Sequence, residues 1–150
     1  MPRKRVPKPK PKPTTGDVER VPNDSLEYAS GLMLLEGKPF TGVGYDLHDE
    51  GWLEREIGYR DGVEWGYKRQ WGGPKRLIRE SPMLRGAVHG RERTWHDNGT
   101  LATEGECEYG IVLWENSWDE GGRPIKKFEL KETDAQFTFL LQLRRIYGER

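Results

Sequence analysis

Three glutamates, Glu56, Glu80 and Glu104, recur along the chain at a spacing of 24 residues. Two carboxylates held close together can act as a catalytic acid and base, whereas a row of them forms a negative surface that attracts a basic partner. A constant spacing indicates a repeated structural unit, because a single catalytic pair has no reason to recur. We therefore interpret these carboxylates as a ladder along one side of a sheet.

Further acids and several aromatic residues extend this surface. The candidate partner-binding residues are the ladder glutamates, the acids near them and four aromatics that the pattern does not assign to the core: Glu54, Glu56, Glu80, Glu92, Glu104, Glu106, Trp65, Tyr67, Trp114 and Trp118. The alternative is a solvated face on which the carboxylates pair with Lys68, Arg55 or Arg79, since exposed ion pairs are common and weak. A platform for glycans or peptides is a third interpretation of the aromatic residues.

Other reactive side chains are sparse and scattered. The histidines His48, His89 and His96 occupy non-equivalent places and lack the short, regular spacing of a metal site. Cys107 has no base near it in sequence, no glycine-rich phosphate loop precedes a helix, and no serine lies in a nucleophile elbow. We therefore expect no enzyme, no catalytic residue, no metal, no cofactor and no small-molecule substrate.

A repeat of 24 residues must position the ladder. Six residues of one unit return in the unit before it: Gly86, Gly90, Arg93, Trp95, Leu101 and Glu104 match Gly62, Gly66, Arg69, Trp71, Leu77 and Glu80. Asn98-Gly99 lies between two alternating segments and predicts a hairpin turn, because both residues tolerate positive φ. The chain is therefore predicted to be mainly β, with stacked antiparallel hairpins that bury their apolar sides against one another.

The predicted units have definite bounds. A leading strand covers residues 26–35, repeats cover 37–61, 62–85 and 86–109, and a degenerate repeat covers 110–130. The period of two predicts an apolar spine near the turns, formed by Leu47, Leu53, Trp71, Leu77, Trp95 and Leu101. The turn at Gly72-Gly73-Pro74-Lys75 places its glycine differently, so its shape should differ. Exposed terminal strands could pair, which leaves monomer and edge-paired dimer both open.

A helix is predicted over residues 134–147. Thr133-Asp134-Ala135-Gln136 matches a capping box, and apolar residues follow at helical spacing. We expect Phe137, Leu140, Leu141 and Ile146 to cover the open end of the last hairpin, with a partner-binding helix as the alternative.

Residues 1–16 differ in composition from the rest. They contain alternating Pro and Lys and carry six cations, Arg3, Lys4, Arg5, Lys8, Lys10 and Lys12, so 19 cations against 25 acids leave the domain at 17–150 with a charge of −6. This composition predicts a disordered, extended tail, and Met1 to Lys12 could bind nucleic acid or an anionic membrane only weakly. A lone cysteine and no apolar run of membrane-spanning length favour a cytoplasmic protein.

The repeat has a recognisable relative. Gly62-x-x-Trp65-Gly66-x-x-x-x-Trp71 with Leu77-x-x-Glu80, and Gly86-x-x-His89-Gly90-x-x-x-x-Trp95-x-x-Asn98-Gly99-x-Leu101-x-x-Glu104, resemble the MORN-variant repeat. A run of such units resembles the YwqK-like antitoxin family, the immunity partners of bacterial polymorphic toxins. The resemblance covers about Gly37 to Gly110 and implies one elongated, curved sheet of stacked hairpins with a binding function.

Two functions follow as expectations. The first is an antitoxin or immunity protein that binds a cognate toxin, such as a nuclease, and blocks its active site or substrate groove. An acidic body and exposed aromatics would suit a basic groove. The second is a MORN-repeat scaffold or membrane-associated interaction module without a toxin partner.

Overall fold

The computed structural model describes residues 18–148, and the predicted tail at 1–16 lies outside them. The elements are thirteen strands, one 3-10 helix and one α-helix, in this order: β1 (Arg20–Pro22), the 3-10 helix (Asn23–Ser25), β2 (Leu26–Ala29), β3 (Leu32–Leu35), β4 (Lys38–Pro39), β5 (Gly42–Leu47), β6 (Leu53–Arg60), β7 (Val63–Trp71), β8 (Leu77–Leu84), β9 (Ala87–Val88), β10 (Gly90–Trp95), β11 (Leu101–Glu108), β12 (Ile111–Trp118), β13 (Pro124–Glu129) and α1 (Ala135–Tyr147).

One extended sheet of ten strands carries the repeats. Its order is β1-β5-β6-β7-β8-β10-β11-β12-β13, with β9 pairing with β8, and only the contact between β1 and β5 is parallel. Four hairpins therefore follow one another, β5–β6, β7–β8, β10–β11 and β12–β13. The predicted fold class, a mainly β chain of stacked hairpins with a C-terminal helix, is confirmed. The fourth hairpin is complete, although its sequence motif is degenerate.

The first glycine of each unit closes a two-residue turn between neighbouring hairpins. Asp61 and Gly62 both have positive φ, 49° and 83°, and they join the paired residues Arg60 and Val63. A turn with positive φ at both positions matches the twist of antiparallel strands. The same pair of positive angles occurs at 30–31, 36–37, 85–86 and 109–110.

The second glycine of each unit has a different role. Gly42, Gly66 and Gly90 are 24 residues apart and all have positive φ, 152°, 84° and 121°. In unit four the equivalent residue is Trp114, and β12 runs without a break from Ile111 to Trp118, whereas β9 and β10 are separate strands. The pairing of unit four is irregular at the same place without a glycine, since the register between β11 and β12 skips Leu113.

The turns at the opposite ends of the hairpins share one hydrogen bond. The N–H groups of His48, Gly72, His96 and Asp119 each donate to the carbonyl oxygen four residues later. Gly99 has a φ of 87°, but Asn98 does not share the positive φ. The turn predicted at Asn98-Gly99 is present, with only its glycine in the left-handed region.

The turn of unit two differs less than its sequence suggests. Lys75 takes a φ of 57°, at the position where Gly51 and Gly99 stand in the neighbouring units. The second hydrogen bond inside the turn does change. In the neighbouring units the N–H of Gly51 or Gly99 donates to the carbonyl three residues earlier, whereas in unit two the N–H of Arg76 donates to the Gly73 carbonyl. A lysine here therefore occupies a conformation that favours glycine.

The leading segment is not one strand, as predicted for residues 26–35. Ser30 and Gly31 form a turn that splits it into β2 and β3. β3 pairs with β2 on one side and with β4 on the other, in a separate three-stranded sheet. The prediction missed this turn because Gly31 lies inside an otherwise apolar run. The small sheet covers one end of the large sheet.

The buried core is small and lies mainly under that sheet. Phe40, Ile57 and Tyr59 form its cluster, with Val21, Leu26, Met33 and Leu35 packed around them. Burial of its hydroxyl raises the pKa of Tyr59 to about 12, with the Glu64 carboxylate as the next cause. Met83, Cys107, Ile111 and Leu140 are buried farther along the chain.

The predicted apolar spine consists of cross-strand pairs that stay partly exposed. Leu47 lies opposite Leu53, Trp71 opposite Leu77 and Trp95 opposite Leu101. Five of these six residues are half-buried, but Leu47 is 55% exposed and does not belong to a core. These residues lie at the turn ends of the hairpins in a single-layer sheet, so no second layer covers them.

The helix begins one residue later than predicted and docks differently. Asp134 is the N-cap residue, but its side chain makes no capping bond; it accepts from the Lys131 N–H instead, so the predicted capping box is absent. Leu140 is 1% exposed and Phe137 is half-buried, whereas Leu141 and Ile146 are exposed, contrary to expectation.

Polar contacts hold the helix against the end of β11 and the turn that follows it. Arg144 donates two hydrogen bonds of 2.8 Å to the carboxylate of Glu108, and the Tyr109 hydroxyl donates to the Gly148 carbonyl at 2.8 Å. These partners are on β11 and the turn after it, two strands in from the edge at β13. Within residues 18–148, no helix is long and apolar enough to cross a membrane.

Candidate partner-binding face

The predicted glutamate ladder is half of an alternating charged row. Glu56, Arg69, Glu80, Arg93 and Glu104 are directly paired from strand to strand across β6, β7, β8, β10 and β11. Side chains directly opposite in neighbouring strands lie on the same face of a sheet. We call the face that carries these five residues the charged face.

Each ladder carboxylate is paired with arginine. Arg69 Nε lies 2.8 Å from Glu80 Oε2, and Arg69 Nη1 lies 3.8 Å from Glu56 Oε1. Arg93 Nε donates to Glu104 Oε2 at 2.7 Å, and this bond raises the pKa of the Arg93 guanidinium above its ordinary value. The charged face is therefore compensated along this row and is not a bare acidic strip.

A further arginine completes the pairing of the first ladder residue. Arg20, on the short strand β1, reaches Glu56 Oε2 with its Nη2 at 2.6 Å, and its guanidinium lies 5.6 Å from the centre of the Tyr45 ring. The Glu56 side chain is only 14% exposed, so both arginines beside it shield it from solvent.

The structure contains local ion pairs along the ladder, which was the alternative interpretation. The cations in these pairs are not the ones that the alternative named. Arg55, Lys68 and Arg79 pair with Asp46, Glu64 and Glu92. The sequence did contain a signal for the actual partners, because Arg69 and Arg93 are themselves 24 residues apart. A repeated residue of opposite charge on the adjoining strand predicts a row of ion pairs.

Three of the predicted aromatic residues lie under arginines. The guanidinium of Arg69 is 4.4 Å from the centre of the Tyr67 ring, and that of Arg91 is 4.8 Å from the Trp114 ring. An exposed contact of this kind contributes about 0.5–1 kcal/mol. Tyr67 is two residues from Arg69 on β7, and Trp114 is directly opposite Glu106, so both belong to the charged face.

Trp65 is flanked by two arginines of neighbouring turns. The guanidinium of Arg60 lies 4.9 Å from its ring centre and that of Arg85 lies 5.9 Å away. Arg85 is also 5.0 Å from the Tyr147 ring, so the end of α1 reaches the Trp65 region. An open hollow of about 450 Å³ separates these groups, lined also by Asp61 and Val63.

Glu106 extends the charged face by one position on β11. Arg91, directly opposite, contacts Glu106 at 3.4 Å and Glu104 at 3.6 Å. Arg91 therefore bridges two predicted acids while it covers Trp114. The structure brings together Glu56, Glu80, Glu104, Glu106, Tyr67 and Trp114 on this face.

The remaining candidates lie elsewhere. Glu92 belongs to the opposite face, where Ser81 Oγ donates to its Oε2 at 2.5 Å. Glu54 lines a shallow hollow with Asp46, Leu47, Arg55 and Gln70. Trp118 is in the last hairpin, where its carbonyl oxygen is 2.8 Å from His96 Nε2.

The opposite face carries a small groove of about 230 Å³. Its lining includes Arg55, Lys68, Arg79, Ser81 and Glu92. Arg69 also lines the groove, so four cations and one acid surround it, and Arg55 and Lys68 have their paired acids, Asp46 and Glu64, outside the lining. Buried Cys107 faces the same side as Glu92, and burial raises the pKa of its thiol to about 11, with the Glu92 carboxylate as the next cause.

The histidines make separate structural contacts. His48 stacks on Trp52 with ring centres 4.3 Å apart, and His89 Nδ1 accepts the Tyr109 N–H at 3.0 Å. His96 bonds to the next hairpin, as described above. Within residues 18–148, no three His, Cys, Asp or Glu side chains are grouped to hold a metal ion.

No family model, no curated protein and no solved structure matches this chain.

Proposed function

We propose that this chain is an antitoxin, or immunity protein, that binds a bacterial toxin in the cytoplasm and covers its active site or substrate groove with the charged face. The observation that carries the proposal is the array of arginine-stacked aromatics and paired charges on an open sheet. Arg, Tyr and Trp are the residues that most often dominate protein interfaces. The resemblance of the repeat to antitoxin sequences supplies the kind of partner.

The charge pattern indicates which kind of toxin surface the charged face would bind. A bare acidic strip would suit a basic nuclease groove, but Arg69 and Arg93 neutralise the ladder. We therefore expect a partner surface of mixed sign, with carboxylates opposite the arginines and cations near Glu106, whose side chain is 41% exposed. Such complementarity fixes the register of a complex and accelerates association.

A co-expression experiment tests the proposal. The reading frames adjacent to this gene are expressed alone and together with this chain, and growth is measured. We expect one product to be toxic, growth to be restored by this chain, and the purified pair to bind in calorimetry. A neighbourhood without any toxic product, or rescue without binding, would refute the proposal.

Variants locate the interface. Arg91→Ala removes the group that stacks on Trp114 and contacts Glu106, and we expect it to weaken toxin binding at least tenfold. Arg55→Ala, on the opposite face, is the matched control and should bind like the parent chain. Equal effects of the two changes would exclude the charged face.

The second candidate function is a scaffold or membrane-associated module without a toxin. Its support is the basic composition of Met1 to Lys12, which lies outside the described residues. Liposome sedimentation compares the full chain with a variant in which the six cations are serine. Equal pelleting with anionic vesicles would exclude the tail as a membrane anchor.

A further inference from the structure

The last strand of the large sheet has a free edge. β13 pairs with β12 on one side, and no strand of the described residues pairs with its other side. All six of its residues are exposed. A free edge presents a row of backbone donors and acceptors that can pair with a further strand.

The backbone direction along β13 follows from one hydrogen bond. The N–H of Leu130 donates to the Leu113 carbonyl at 2.8 Å, in register with the pairs Glu115–Phe128 and Ser117–Lys126. In an antiparallel ladder, alternate residues point their N–H and C=O groups to opposite sides. Lys127 and Glu129 therefore point theirs outward, away from β12.

The side chains of this edge include two lysines, the apolar residues Ile125 and Phe128, and one carboxylate, Glu129. Lys126 and Lys127 are adjacent, so one lysine lies on each face of the sheet, and Ile125 is 67% exposed. A hollow of about 310 Å³ lies against the strand and includes Trp118, Ile125 and Lys126. A second, of about 500 Å³, is lined by Lys127, Phe128, Glu129, Lys131 and Asp134.

The opposite edge of the sheet differs. β1 has only three residues and ends in Pro22, whose nitrogen has no hydrogen to donate. Short, proline-bearing edge strands resist the addition of another strand. The two ends of the sheet are therefore unequal, and β13 is the one that can accept a longer segment.

We propose that β13 binds an extended acidic segment of a protein partner as an additional strand. Backbone groups of Lys127 and Glu129 pair with the segment, carboxylates on its two faces contact Lys126 and Lys127, and its apolar residues fill the hollows beside Ile125 and Phe128. Backbone pairing supplies affinity in such complexes and side-chain pockets supply specificity. This edge is separate from the charged face, so the inference holds whether or not the partner is a toxin.

A second copy of the chain is a poorer occupant. With Lys127 opposite Lys127 of the copy, like charges meet across the ladder and are destabilising. With Lys127 opposite Glu129 of the copy, Lys127 meets a carboxylate but Lys126 lies opposite Leu130 and meets none. A segment with carboxylates on both faces can meet both lysines, so charge complementarity favours it.

Peptide titration tests this inference on the full-length protein. The probe is the blocked hexapeptide Thr-Val-Glu-Glu-Val-Thr, whose adjacent glutamates lie on opposite faces of a strand, added at up to millimolar concentration to 15N-labelled protein. We expect amide shifts concentrated between Ile125 and Glu129, and slower hydrogen exchange at Lys127 and Glu129, because their N–H groups gain acceptors. The peptide Thr-Val-Lys-Lys-Val-Thr should bind at least tenfold more weakly.

Matched variants separate the edge from general electrostatics. The double change Lys126→Glu and Lys127→Glu should weaken the acidic peptide at least tenfold, and Lys38→Glu, on an exposed strand of the small sheet, should leave it unchanged. The inference is overturned by no binding of the acidic peptide, by shifts that map away from β13, or by unaltered binding to the double variant. A dimer in sedimentation that the peptide dissociates would assign the edge to a second copy and also overturn it.

Discussion

At the scale of residues, pairing determines what the repeated glutamates can do. Glu56 and Glu80 flank Arg69 on neighbouring strands, and their side chains are 14% and 24% exposed. Carboxylates so shielded from water need their cation, because removing one partner leaves a desolvated charge. The row therefore stabilises the sheet in addition to shaping its surface.

Replacing Arg69 by methionine tests the row. We expect Arg69→Met to lower the free energy of unfolding by about 1–2 kcal/mol, since two half-buried carboxylates lose a shared cation. Urea denaturation monitored by tryptophan fluorescence measures the change. Arg145→Met, at an exposed helix position, is the control and should stay within about 0.5 kcal/mol. A similar small effect at Arg69 would show that the row contributes only to the surface.

The buried thiol of Cys107 predicts how stability depends on alkaline pH. Its pKa is raised to about 11 by burial, against about 8.5 for an unfolded cysteine. The folded state thus holds this proton more tightly, so the thiol's contribution to stability is complete below about pH 8.5 and is lost as pH rises through about 11.

We expect the urea midpoint to fall between pH 8 and pH 10, and to fall less in Cys107→Ala. Tyr59, with its pKa raised to about 12, contributes a later loss in both proteins. Native Cys107 should also react slowly with iodoacetamide at pH 8, and rapidly in urea. Parallel pH curves for the two proteins would contradict the assignment.

At the scale of elements, the glycines and turns follow the repeat even where the sequence departs from it. Lys75 takes the left-handed conformation of Gly51 and Gly99, and the outer turn hydrogen bond is kept. The hairpin and the register of its strands therefore dictate the turn, and the local sequence adapts to it.

Lys75→Gly should stabilise the protein. Glycine removes the cost of a positive φ, and the net gain should be about 0.5–1 kcal/mol after its extra freedom in the unfolded chain. The melting temperature measures it. Gly99→Ala, the reciprocal change in the next unit, should destabilise by about 1 kcal/mol. A loss at Lys75→Gly would mean that its φ carries no strain.

The docking of α1 depends on one buried side chain. Leu140→Ala should lower the free energy of unfolding by about 2–3 kcal/mol and increase hydrogen exchange along the helix. Phe139→Ala is the control, since Phe139 is 55% exposed and should matter little. If both variants exchange alike, the Glu108–Arg144 contact holds the helix without apolar packing.

The sequence predicted those features that recur along the chain. It did not predict features that depend on contacts between residues distant in sequence. The period of 24 predicted the four hairpins, and the helix at 134–147 differs by one residue at its start. The split of the leading segment depends on a turn at Gly31, and the repeat pattern does not predict this turn. The exposure of Leu141 and Ile146 depends on where α1 meets β11, and helical spacing alone cannot give that position.

The partner-binding candidates divide in the same way. Those related by the repeat, such as Glu80 and Glu104, do share a face, because equal spacing preserves register. Glu92 and Trp118 lie elsewhere, since a shift of one residue moves a side chain to the other face and β-bulges interrupt the alternation. Spacing therefore predicts common placement only for equivalent residues.

At the scale of the whole molecule, stability is distributed along the sheet. Strand contacts join neighbours in the sheet order, as in β7 with β8 and β11 with β12. The Phe40 cluster lies at one end, while Ile111 is buried near the other. In a linear array, each unit depends mainly on the units beside it, so parts of the structure can open separately.

A pair of mild core substitutions tests this distribution. Phe40→Leu should raise hydrogen exchange in β2 to β6 more than in β10 to β13, and Ile111→Val should do the opposite, each change costing about 1–2 kcal/mol locally. Native-state exchange followed by NMR resolves the two regions within one sample. If both variants raise exchange equally from Val21 to Phe128, the sheet unfolds as one cooperative unit. If each variant instead raises exchange mainly near its own substitution, the two ends of the sheet open separately. A partner bound at β13 would then stabilise the last hairpins first, because in such an array each strand is stabilised mainly by its neighbours.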